Sequence, residues 1–538
     1  MGDPMHAQPA ILNYKSGDTE YTTIFMATNE GFLHAIEHEE GSELYAFMPK
    51  ELLPNTNAFY QNQQSTSHPY GLDGDLTIWH EDDNENVRVD GNERAFLFMG
   101  MRRGGNHYYA IDVSDRLNPK LVWQIDGGSG DFELLGQSWS KPVPTTMMIN
   151  NERKKVLIFA GGYDENQDPT SENVVNRIDP STGDVVSTQT GDTIGNAIYI
   201  VEAETGERLW VGQGSTGGDA YFEDMKFSIP GDINIVDVNS DGLADQMYFG
   251  DMGGQLWRFD VQPYHQSTDT QLIHGGVMAD LSGTDVTHAR RFYAEPDVAL
   301  IVREGKRFLS VSIGSGWRAH PLNTTVEDRF YMIRTDNVYS RPEGYGRNIG
   351  TESNPIWTPI TEADLVNVTN DVEAQLNDYG WMLDLETEGE KVMGQSITVS
   401  NKLIFTTYEP SADGDLCSPA IGGGSYYVVD VLNGAPVIDL DDSTSAGTGI
   451  PQEDSTGHRV ASYTKSDRKK ELDQDGIPSS PTVLINEIDG TNYVSGFVST
   501  QIINGLTVQP LKRTYWQDHG RGSRHPSEVA ESSDAAEE

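Results

Sequence analysis

The stretch that decides the fold is DQMYFGDMGGQLWRFDV, which runs from Asp245 to Val261. An apolar run ends at Gly250, a glycine-rich turn follows, and an aromatic-rich run then ends beside Asp260. Short aromatic and aliphatic runs separated by Gly or Asp-Gly turns are typical of β-strands rather than of helices. The stretch therefore predicts two strands joined by a tight turn.

The same plan recurs about seven times along the chain, and each instance would be one small sheet. Such a sheet has too little core to stand alone, so neighbouring sheets must stack around an axis to bury both faces. We therefore predict an all-β fold, a modified quinoprotein-like β-propeller of about seven blades with irregular insertions. The other instances are TTIFMATNEGFLHAIEHEEGSELYAF (22–47), AFLFMGMRRGGNHYYAIDVSD (95–115), VLIFAGGYDEN (156–166) with AIYIVEAETGERLW (197–210), FLSVSIGSGWRAH (308–320) with RFYMIRTDN (329–337), KLIFTTYEP (402–410) with GGSYYVVDVLNGAPV (423–437), and YVSGFVST (493–500) with KRTYWQD (512–518).

Composition excludes several classes of function. Against 37 Lys and Arg stand 83 Asp and Glu, and the resulting net charge of −46 opposes binding to nucleic acid or to an anionic membrane surface. Cys417 is the single cysteine, so it can form neither an internal disulfide nor a Cys-x-x-Cys zinc or redox pair. No apolar run approaches the length of a membrane span. The first residues, MGDPMHAQPA, are polar and poor in basic residues, so we expect no signal peptide in this chain.

We expect the propeller to occupy residues 1–517. Two polar, strand-poor stretches, near 164–193 and 441–470, are predicted to be insertions in loops. The last residues, 518–538, are acidic and nearly free of apolar side chains, which predicts a disordered tail. A short helix is expected near Thr361 to Leu365, with Thr361 as its cap.

A candidate metal loop precedes the opening stretch, in DVNSDGLAD from Asp237 to Asp245. Calcium prefers six to eight oxygen ligands, and a tight loop supplies them from positions 1, 3 and 5 and from the carbonyl at position 7. Those positions hold Asp237, Asn239, Asp241 and Leu243, with Gly242 at position 6 for the sharp turn and the carboxylate of Asp245 at position 9. We predict a calcium site made of these five ligands. Because Gln246 to Gly250 alternate as a strand, we expect the loop to be the entry into a blade.

Other interpretations of the loop are weaker. An EF-hand or a dockerin loop needs an acidic residue at position 12 and a following helix, whereas this chain has Tyr248 there, inside the predicted strand. Magnesium usually retains waters and avoids loops this rich in protein oxygens. The remaining alternative is an Asp-Gly turn whose carboxylates only cap backbone N–H groups. Two further acid-rich segments, DDNENVRVDGNE (82–93) and LDQDGIPSSP (472–481), do not complete the pattern and are expected to be solvated turns.

The sequence offers little support for an enzyme. The segment IVEAETGERLW (200–210) resembles the blade signature of quinone-dependent dehydrogenases, but Thr205 and Gly206 then form a turn and Trp210 packs between blades, which is a structural role. No G-x-S-x-G or H-E-x-x-H motif is present. His34, Arg318 and His320 are more simply explained as turn, core or loop residues. We expect no catalytic residues and keep a quinone-dependent dehydrogenase as the enzymatic alternative.

Several segments, in this order, resemble the C-terminal domain of PilY-type proteins, the type IV pilus tip-associated adhesins and biogenesis factors. They are ATNEGFLHAIEHEEGSELYAFMP (27–49), HYYAIDVSD (107–115) with LVWQID (121–126), GSGWRAHPLN (314–323) with DRFYMIR (328–334), GWMLDLETEGEKVMGQS (380–396), LIFTTYEP (403–410) and DGIPSSP (475–481). The family's calcium loop matches Asp237, Asn239, Asp241, Leu243 and Asp245. The family's usual N-terminal, von Willebrand-like region has no counterpart among these residues.

The resemblance implies a calcium-binding propeller, secreted and exposed at the cell surface, outer membrane or pilus tip, whose calcium occupancy regulates pilus extension and retraction, twitching motility and attachment. It also implies association with major and minor pilins or a tip complex, and with a host or abiotic surface. A third possibility is that calcium is only a structural staple.

Overall fold

The structure is a computed structural model that describes residues 2–61, 69–167, 194–262, 271–283, 286–303, 306–372, 374, 377–411, 421–440, 463–488, 491–499 and 501–503. Strands dominate these residues, as the short apolar runs of the sequence predict. Across these ranges no helix is both long and apolar enough to cross a membrane. Most of the two predicted insertions, the predicted strand at 512–518 and the predicted tail at 518–538 lie outside the described residues.

The first three sheets follow one another along the chain. Their neighbouring strands are antiparallel, with one exception. The short last strand of the third sheet, β13 (Ala220–Tyr221), is parallel to β12 (Arg208–Gln213). The strands are β1 (Ala10–Ser16), β2 (Thr19–Ala27), β3 (Leu33–Glu37) and β4 (Glu43–Phe47); then β5 (Leu76–His80), β6 (Ala95–Gly100), β7 (His107–Asp112) and β8 (Lys120–Asp126); then β9 (Val143–Ile149), β10 (Glu152–Ala160), β11 (Ala197–Glu202), β12 (Arg208–Gln213) and β13 (Ala220–Tyr221).

Four more sheets continue this order in the described part of the chain. The fourth has β14 (Asn234–Val236), β15 (Gln246–Gly250), β16 (Gln255–Val261) and β17 (Ile273–Asp280). The fifth has β18 (Asp297–Arg303), β19 (Lys306–Gly314), β20 (Arg329–Thr335), β23 (Val366–Asn367) and β24 (Gly380–Asp384). Along the chain between β20 and β23, β21 (Arg347–Asn348) and β22 (Trp357–Thr358) form a separate two-stranded sheet. The sixth has β25 (Lys391–Val392), β26 (Ile397–Val399), β27 (Lys402–Glu409), β28 (Gly423–Asp430) and β29 (Lys469–Asp475), and the seventh has β30 (Thr482–Ile488), β31 (Thr491–Val498) and β32 (Gln501–Ile503).

Helical segments are short in the described residues. The only α-helix there is α1 (Thr56–Gln61), and the 3-10 helices cover Lys50–Asn55, Arg102–Gly104, Gly130–Phe132, Glu165–Gln167, Val286–His288, Glu362–Asp364 and Lys465–Arg468. The expected helix near Thr361 is thus a 3-10 turn, and Thr361 caps it in a capping box with Asp364. Residues 465–468, inside the second predicted insertion, form such a turn with Arg468 buried, and β29 then begins at Lys469.

Of the seventh repeat, residues 493–498 lie in β31 and residues 512–518 lie outside the described residues. Each of the other six supplies two neighbouring strands in the middle of one sheet. In the opening stretch these are β15 and β16, joined by a turn around the buried carboxylate of Asp251. Asp251 Oδ1 accepts the backbone N–H groups of Gly253 and Gln255, each at 2.9 Å. Its Oδ2 accepts the indole N–H of Trp257, also at 2.9 Å. This single carboxylate therefore holds both sides of the turn.

Successive sheets pack face to face, and a separate apolar cluster fills each of the interfaces from the first sheet to the seventh. Trp210 of β12 lies in the cluster between the third and fourth sheets, where its ring meets Phe259 of β16 edge-on. The prediction that Trp210 packs between blades is confirmed. Because each sheet buries both faces only against its neighbours, this stacking is the arrangement expected of a propeller.

The first strands of six of these sheets, and β26 of the sixth sheet, begin around one cavity. It is lined by residues that come shortly before them: Gln8, Asp75, Lys141, Asp232, Glu295, Gln395 and Ser480. One lining residue from each of seven successive sheets indicates an arrangement around an axis. The all-β propeller is thereby confirmed, and the described sheets are consistent with about seven blades.

Candidate metal centre

The predicted metal loop, Asp237–Asp245, connects β14 to β15 in the fourth sheet. Tyr248 lies in β15 and is fully buried, as predicted for a strand residue rather than a missing ligand. We expected the loop to be the start of a blade, and in this respect the structure differs. The short strand β14 (Asn234–Val236) precedes it, so the loop is a hairpin connection within the sheet.

The carboxylates of the loop accept its backbone N–H groups. Asp237 accepts Asp241 N–H through Oδ1 at 3.2 Å and Gly242 N–H through Oδ2 at 2.8 Å. Asn239 Oδ1 also accepts Asp241 N–H, at 2.8 Å, and Asp241 Oδ1 accepts Leu243 N–H at 2.9 Å. These local bonds direct the side chains of positions 1, 3 and 5 toward the inside of the loop.

Asp245 closes the loop from its far end. Its Oδ2 accepts Val238 N–H at 2.8 Å, and its Oδ1 accepts the Asn239 side-chain amide at 3.4 Å. Burial, together with the charges of Asp237 and Asp241, raises the pKa of Asp245 to about 6 against the opposing backbone hydrogen bonds. The site is therefore one where added positive charge is favourable.

The backbone of the loop is tightly curled. Ser240 and Gly242 have φ angles of +61° and +79°, in the left-handed region where glycine carries no steric penalty. The turn at Gly242 brings Leu243 back toward the fold, where its side chain is buried. Among the described residues the Leu243 carbonyl accepts no backbone hydrogen bond, which leaves it available as a ligand.

The loop is also tied to the neighbouring sheet. Ala244 N–H donates to the carbonyl of Thr146 in β9 at 3.0 Å, and the guanidinium of Arg153 in β10 donates to the carbonyl of Asp241 at 3.2 Å. Within its own sheet, Asp245 N–H donates to Val236 at 2.9 Å. The loop thus bridges the third and fourth sheets, and Arg153 places a cation at its rim.

The donor set fits calcium in kind, since it offers carboxylate, amide and carbonyl oxygens and no nitrogen or sulfur ligand. The carboxylates of Asp237, Asp241 and Asp245 do not all lie within 4.8 Å of one another in the structure. Binding would therefore require small side-chain rotations within a loop whose backbone is already held. The residues present fit the ion on these grounds.

The segment from Asp82 is the solvated turn that we predicted, with Asp83, Asn84 and Glu85 exposed. Both carboxylate oxygens of Asp82 accept backbone N–H groups, those of Asn86 at 3.0 Å and Val87 at 2.7 Å, as the oxygens of Asp237 do in the metal loop. Leu472 and Asp475, in the second such segment, lie in β29 with the turn at Gly476, so this part of the segment is strand rather than turn.

One group of potential ligand atoms does lie within 4.8 Å of one another among the described residues, and it belongs to Glu51, His107 and Asp126. The oxygens of Glu51 already accept bonds from Tyr109 at 2.8 Å and Gln124 at 2.9 Å, and His107 Nε2 lies 3.6 Å from Asp126. Hydrogen bonds thus account for Glu51, whereas Nδ1 of His107 is buried without one among the residues that the structure describes. His34, predicted to be structural, contacts Glu43 on the adjacent strand at 2.9 Å.

A calcium-type loop in a stack of antiparallel sheets defines the class of this protein as a β-propeller with one candidate metal loop. Residues 12–282 match the family model described as "PilY1 beta-propeller domain". The chain belongs to this family, as the resemblance of its sequence motifs predicted.

Individual relatives agree with the family match. The chain is 22% identical over 463 residues to a type IV pilus biogenesis factor PilY1 homolog of Xylella fastidiosa, an alignment that covers 82% of this chain and 28% of the relative. It is 26% identical over 280 residues to type IV pilus biogenesis factor PilY1 of Pseudomonas aeruginosa PAO1, covering 49% of this chain and 20% of the relative. The chain therefore spans only about a third or less of these relatives.

A solved structure supports the fold. The crystal structure of the Pseudomonas aeruginosa PilY1 C-terminal domain superposes with a TM-score of 0.56 and 19% identity, covering 89% of this chain and 91% of that one. At this identity the likeness concerns the fold and not the chemistry of the site.

Proposed function

We propose that this chain is the calcium-binding propeller of a type IV pilus biogenesis factor, with calcium held by the side chains of Asp237, Asn239, Asp241 and Asp245 and the carbonyl of Leu243. The observation that carries the proposal is the hydrogen-bonded loop. Backbone N–H groups hold the acidic side chains of a nine-residue segment toward one another, although their charges repel.

Calcium, when bound, would supply the positive charge that the loop lacks. The residues of the chain have separate tasks. Asp237 and Asp245 close the two ends of the loop by accepting Gly242 and Val238 N–H groups, each at 2.8 Å. Asp241 is exposed and adds charge at the outer rim, where solvent and a partner can reach it.

The cellular role is proposed from the family. Two relatives carry the name type IV pilus biogenesis factor, and we propose the same kind of role for this propeller. It would act at the cell surface or pilus tip, in contact with major and minor pilins or a tip complex. Calcium occupancy of the loop would regulate pilus extension and retraction, and with them surface attachment and twitching motility. A partner that contacts only the ordered loop would be coupled to calcium by linkage.

A structural staple is the second candidate, and one observation favours it. The loop bonds to Thr146 and Arg153 of the neighbouring sheet, so an ion that orders the loop would also fasten the third sheet to the fourth. Regulation and stapling both predict calcium binding. They differ in whether pilus dynamics depend on occupancy.

Calorimetric titration of calcium into the wild type, Asp241→Ala and Asp245→Ala tests the site. Asp82→Ala is the matched control, since Asp82 caps a turn of similar composition through the same kind of bonds. We expect heat of binding in the wild type and the control and a large loss of affinity in both loop variants. Absence of heat in the wild type would remove the proposal.

The same variants separate regulation from stapling in cells. Regulation predicts altered pilus retraction at an unchanged protein level. A staple predicts a lower melting temperature in calcium with normal retraction whenever the protein is folded. The proposed role is one of binding and not of catalysis. Dehydrogenase activity that appears on addition of a quinone would instead favour the enzymatic alternative.

A further inference from the structure

The axial cavity, at the start of the first strands, is a built polar site distinct from the metal loop. Its volume is about 210 Å³. That is below the roughly 300–1,000 Å³ usual for pockets of drug-sized ligands, so the occupant must be small. The metal loop follows the first strand of its sheet while the cavity precedes it, so the two lie at opposite ends of that sheet.

Three cations and three carboxylates share this small space. The cations are Arg102, Lys141 and Arg318, and the carboxylates are Asp75, Asp232 and Glu295. Arg102 and Arg318 come from the loops that follow β6 and β19, the second strands of their sheets, whereas the other four precede first strands. Antiparallel pairing brings these positions to the same end of the sheets.

These opposite charges are held apart. Among the described residues, no side chain of the three cations forms an ion pair within 4.0 Å with any of the three carboxylates. Arg102 pairs instead with Asp73, at 3.4 Å. Opposite charges that share a small cavity attract strongly and would be expected to collapse onto one another. Something in the surrounding structure must therefore keep them separate.

The surroundings provide that restraint for the carboxylates. Glu295 accepts the amides of Asn234 at 2.9 Å and Gln395 at 2.5 Å. Asp232 accepts the backbone N–H of Lys141 at 2.6 Å, and Asp75 accepts that of Gln8 at 3.0 Å. The acidic groups are thus fixed by neutral donors and keep their charge available to a cation.

The arginines are restrained in the same way. Arg318 donates to the carbonyl of Met393. Arg102 lies over the ring of Trp139 at 4.2 Å and reaches Asp73, behind the cavity, at 3.4 Å. Its side chain is only 9% exposed and its φ is +51°, a strained conformation for a residue other than glycine. The backbone of Arg102 is therefore strained at the point where its guanidinium reaches the cavity.

The shifts of pKa agree with a site of separated charges. Burial and the nearby Arg318 lower the pKa of Arg102 to about 9. Burial and the charge of Asp232 raise the pKa of Glu295 to about 7. The arginine side of the cavity thus favours an anionic group, and the carboxylate side favours a cationic one.

We propose that the axial cavity binds a small zwitterion, a free α-amino acid, with its carboxylate toward Arg102 and Arg318 and its ammonium group toward Asp232 and Glu295. A simple anion would also meet the arginines, but the net charge of −46 repels it at long range, whereas a zwitterion carries no such cost. A simple cation would meet only the carboxylates and would leave the guanidinium of Arg318 in the cavity without an anionic ligand. This proposal is independent of calcium binding at the loop.

Calorimetric titration of the whole chain with each of the twenty common L-amino acids, up to about 10 mM, tests the proposal. Acetate and methylammonium serve as the separate halves of the ligand. We expect at least one amino acid to bind, and each half to bind at least about tenfold more weakly. No binding by any amino acid would overturn the proposal, and so would acetate or calcium binding at the cavity as tightly as the amino acid.

Two variants locate the ligand. Arg318→Met removes the anion-binding side and Asp232→Asn the cation-binding side, and each is expected to weaken binding at least about tenfold. Arg88→Met is the control, because Arg88 forms an exposed pair with Glu20 on the outside of the fold. Unchanged affinity in both cavity variants would overturn the proposal. Melting curves establish that each variant is folded.

A measurement on the wild type keeps the test decisive if the variants do not fold. Trp139 lines the cavity and its indole N–H is hydrogen-bonded to Gln137 at 2.9 Å. In protein labelled at tryptophan, its indole NMR signal is assigned by its loss in Trp139→Phe. We expect this signal to shift on addition of the amino acid. Binding heat without such a shift would place the ligand elsewhere and overturn the proposal.

Discussion

The backbone N–H of Gly242 lies 2.8 Å from Oδ2 of Asp237, so position 6 of the metal loop is bonded directly to position 1. The second oxygen, Oδ1, accepts Asp241 N–H at 3.2 Å. An amide in place of this carboxylate could accept only one of the two bonds, and more weakly, so Asp237→Asn removes the charge together with one acceptor.

Asp237→Asn relieves the repulsion from Asp241 and Asp245, and Asp241 N–H keeps its bond to Asn239 Oδ1 at 2.8 Å. We therefore expect the calcium-free protein to melt at nearly the same temperature as the wild type. Calcium affinity should fall by about tenfold or more, because affinity follows the charge of the ligand set. Calorimetry and melting curves measure the two effects. Asp82→Asn, in the capped turn that lacks the ligand pattern, should change neither.

Gly242→Ala tests the backbone of the loop. A Cβ at this position would meet only Arg153 Nη1, at 3.9 Å, so the expected cost arises from φ of +79° and not from a clash. We expect a loss of about 1 kcal/mol in the loop conformation, seen as weaker calcium binding. Gly423→Ala is the control, because Gly423 has open space around it and is not among the glycines of positive φ. Equal effects of the two substitutions would contradict the assignment of the loop conformation.

Arg258 and Asp260 form a buried ion pair in β16, with Nη2 to Oδ1 at 2.7 Å. Asp260→Ala leaves a buried guanidinium without its carboxylate and should destabilise the protein by about 3–5 kcal/mol. Arg334 and Asp336 have the same spacing at 2.8 Å, but Asp336 is 60% exposed, so Asp336→Ala should cost less than about 1 kcal/mol. Urea unfolding of the two variants measures the difference. Similar losses would show that burial does not set the strength of these pairs.

Glu295→Gln tests the acid side of the axial cavity without ligand. Burial and Asp232 raise the pKa of Glu295 to about 7, with Asp297 adding to the rise and Lys141 and Asn234 opposing it. Between the unfolded pKa of about 4.5 and 7 the unfolded state loses its proton first, so this group makes stability fall as pH rises.

The variant should remove that part of the pH dependence, about 1 kcal/mol once partial exposure is allowed for. Melting temperatures across this pH window, in wild type and variant, measure it. Glu388→Gln, at an exposed carboxylate, is the control and should leave the profile of the wild type across this window unchanged. A profile in Glu295→Gln that still falls by the same amount between pH 4.5 and 7 would show that other groups carry the dependence.

Sequence patterns were sufficient for those features that depend on near neighbours. The repeat of strand, glycine turn and strand predicted the sheets, because each pair of strands and its turn lie within one short segment, as around Asp251. The metal loop could be proposed for the same reason: the bonds of Asp237, Asn239 and Asp241 all join residues within five positions. The calcium ligands themselves stay a prediction.

The position of the metal loop within its sheet was harder to predict from the sequence. The strand β14 (Asn234–Val236) has only three residues, too few to show a pattern, and without it the loop appeared to begin a blade. Its pairing with β15, whose partners include Asn234 and Tyr248, is decided by contacts across the sheet.

The axial cavity is the clearest case of a feature that sequence reasoning missed. A weak signal did exist: a polar residue followed by proline precedes the first strand in four sheets, at Gln8, Lys141, Glu295 and Ser480. The sequence predicted only a loop residue at Arg318, and no motif marks Arg102. Nothing in the local sequence around either arginine indicates that they face the same space.

Local hydrogen bonds and the spacing of apolar residues thus decide the strands, their tight turns and the nine-residue loop. These features could therefore be predicted from the sequence. Only the tertiary structure decided which charges meet at the axis. Asp75 and Glu295 are separated by more than two hundred positions, and they share one cavity because successive sheets bury their faces against one another and so turn around a common axis.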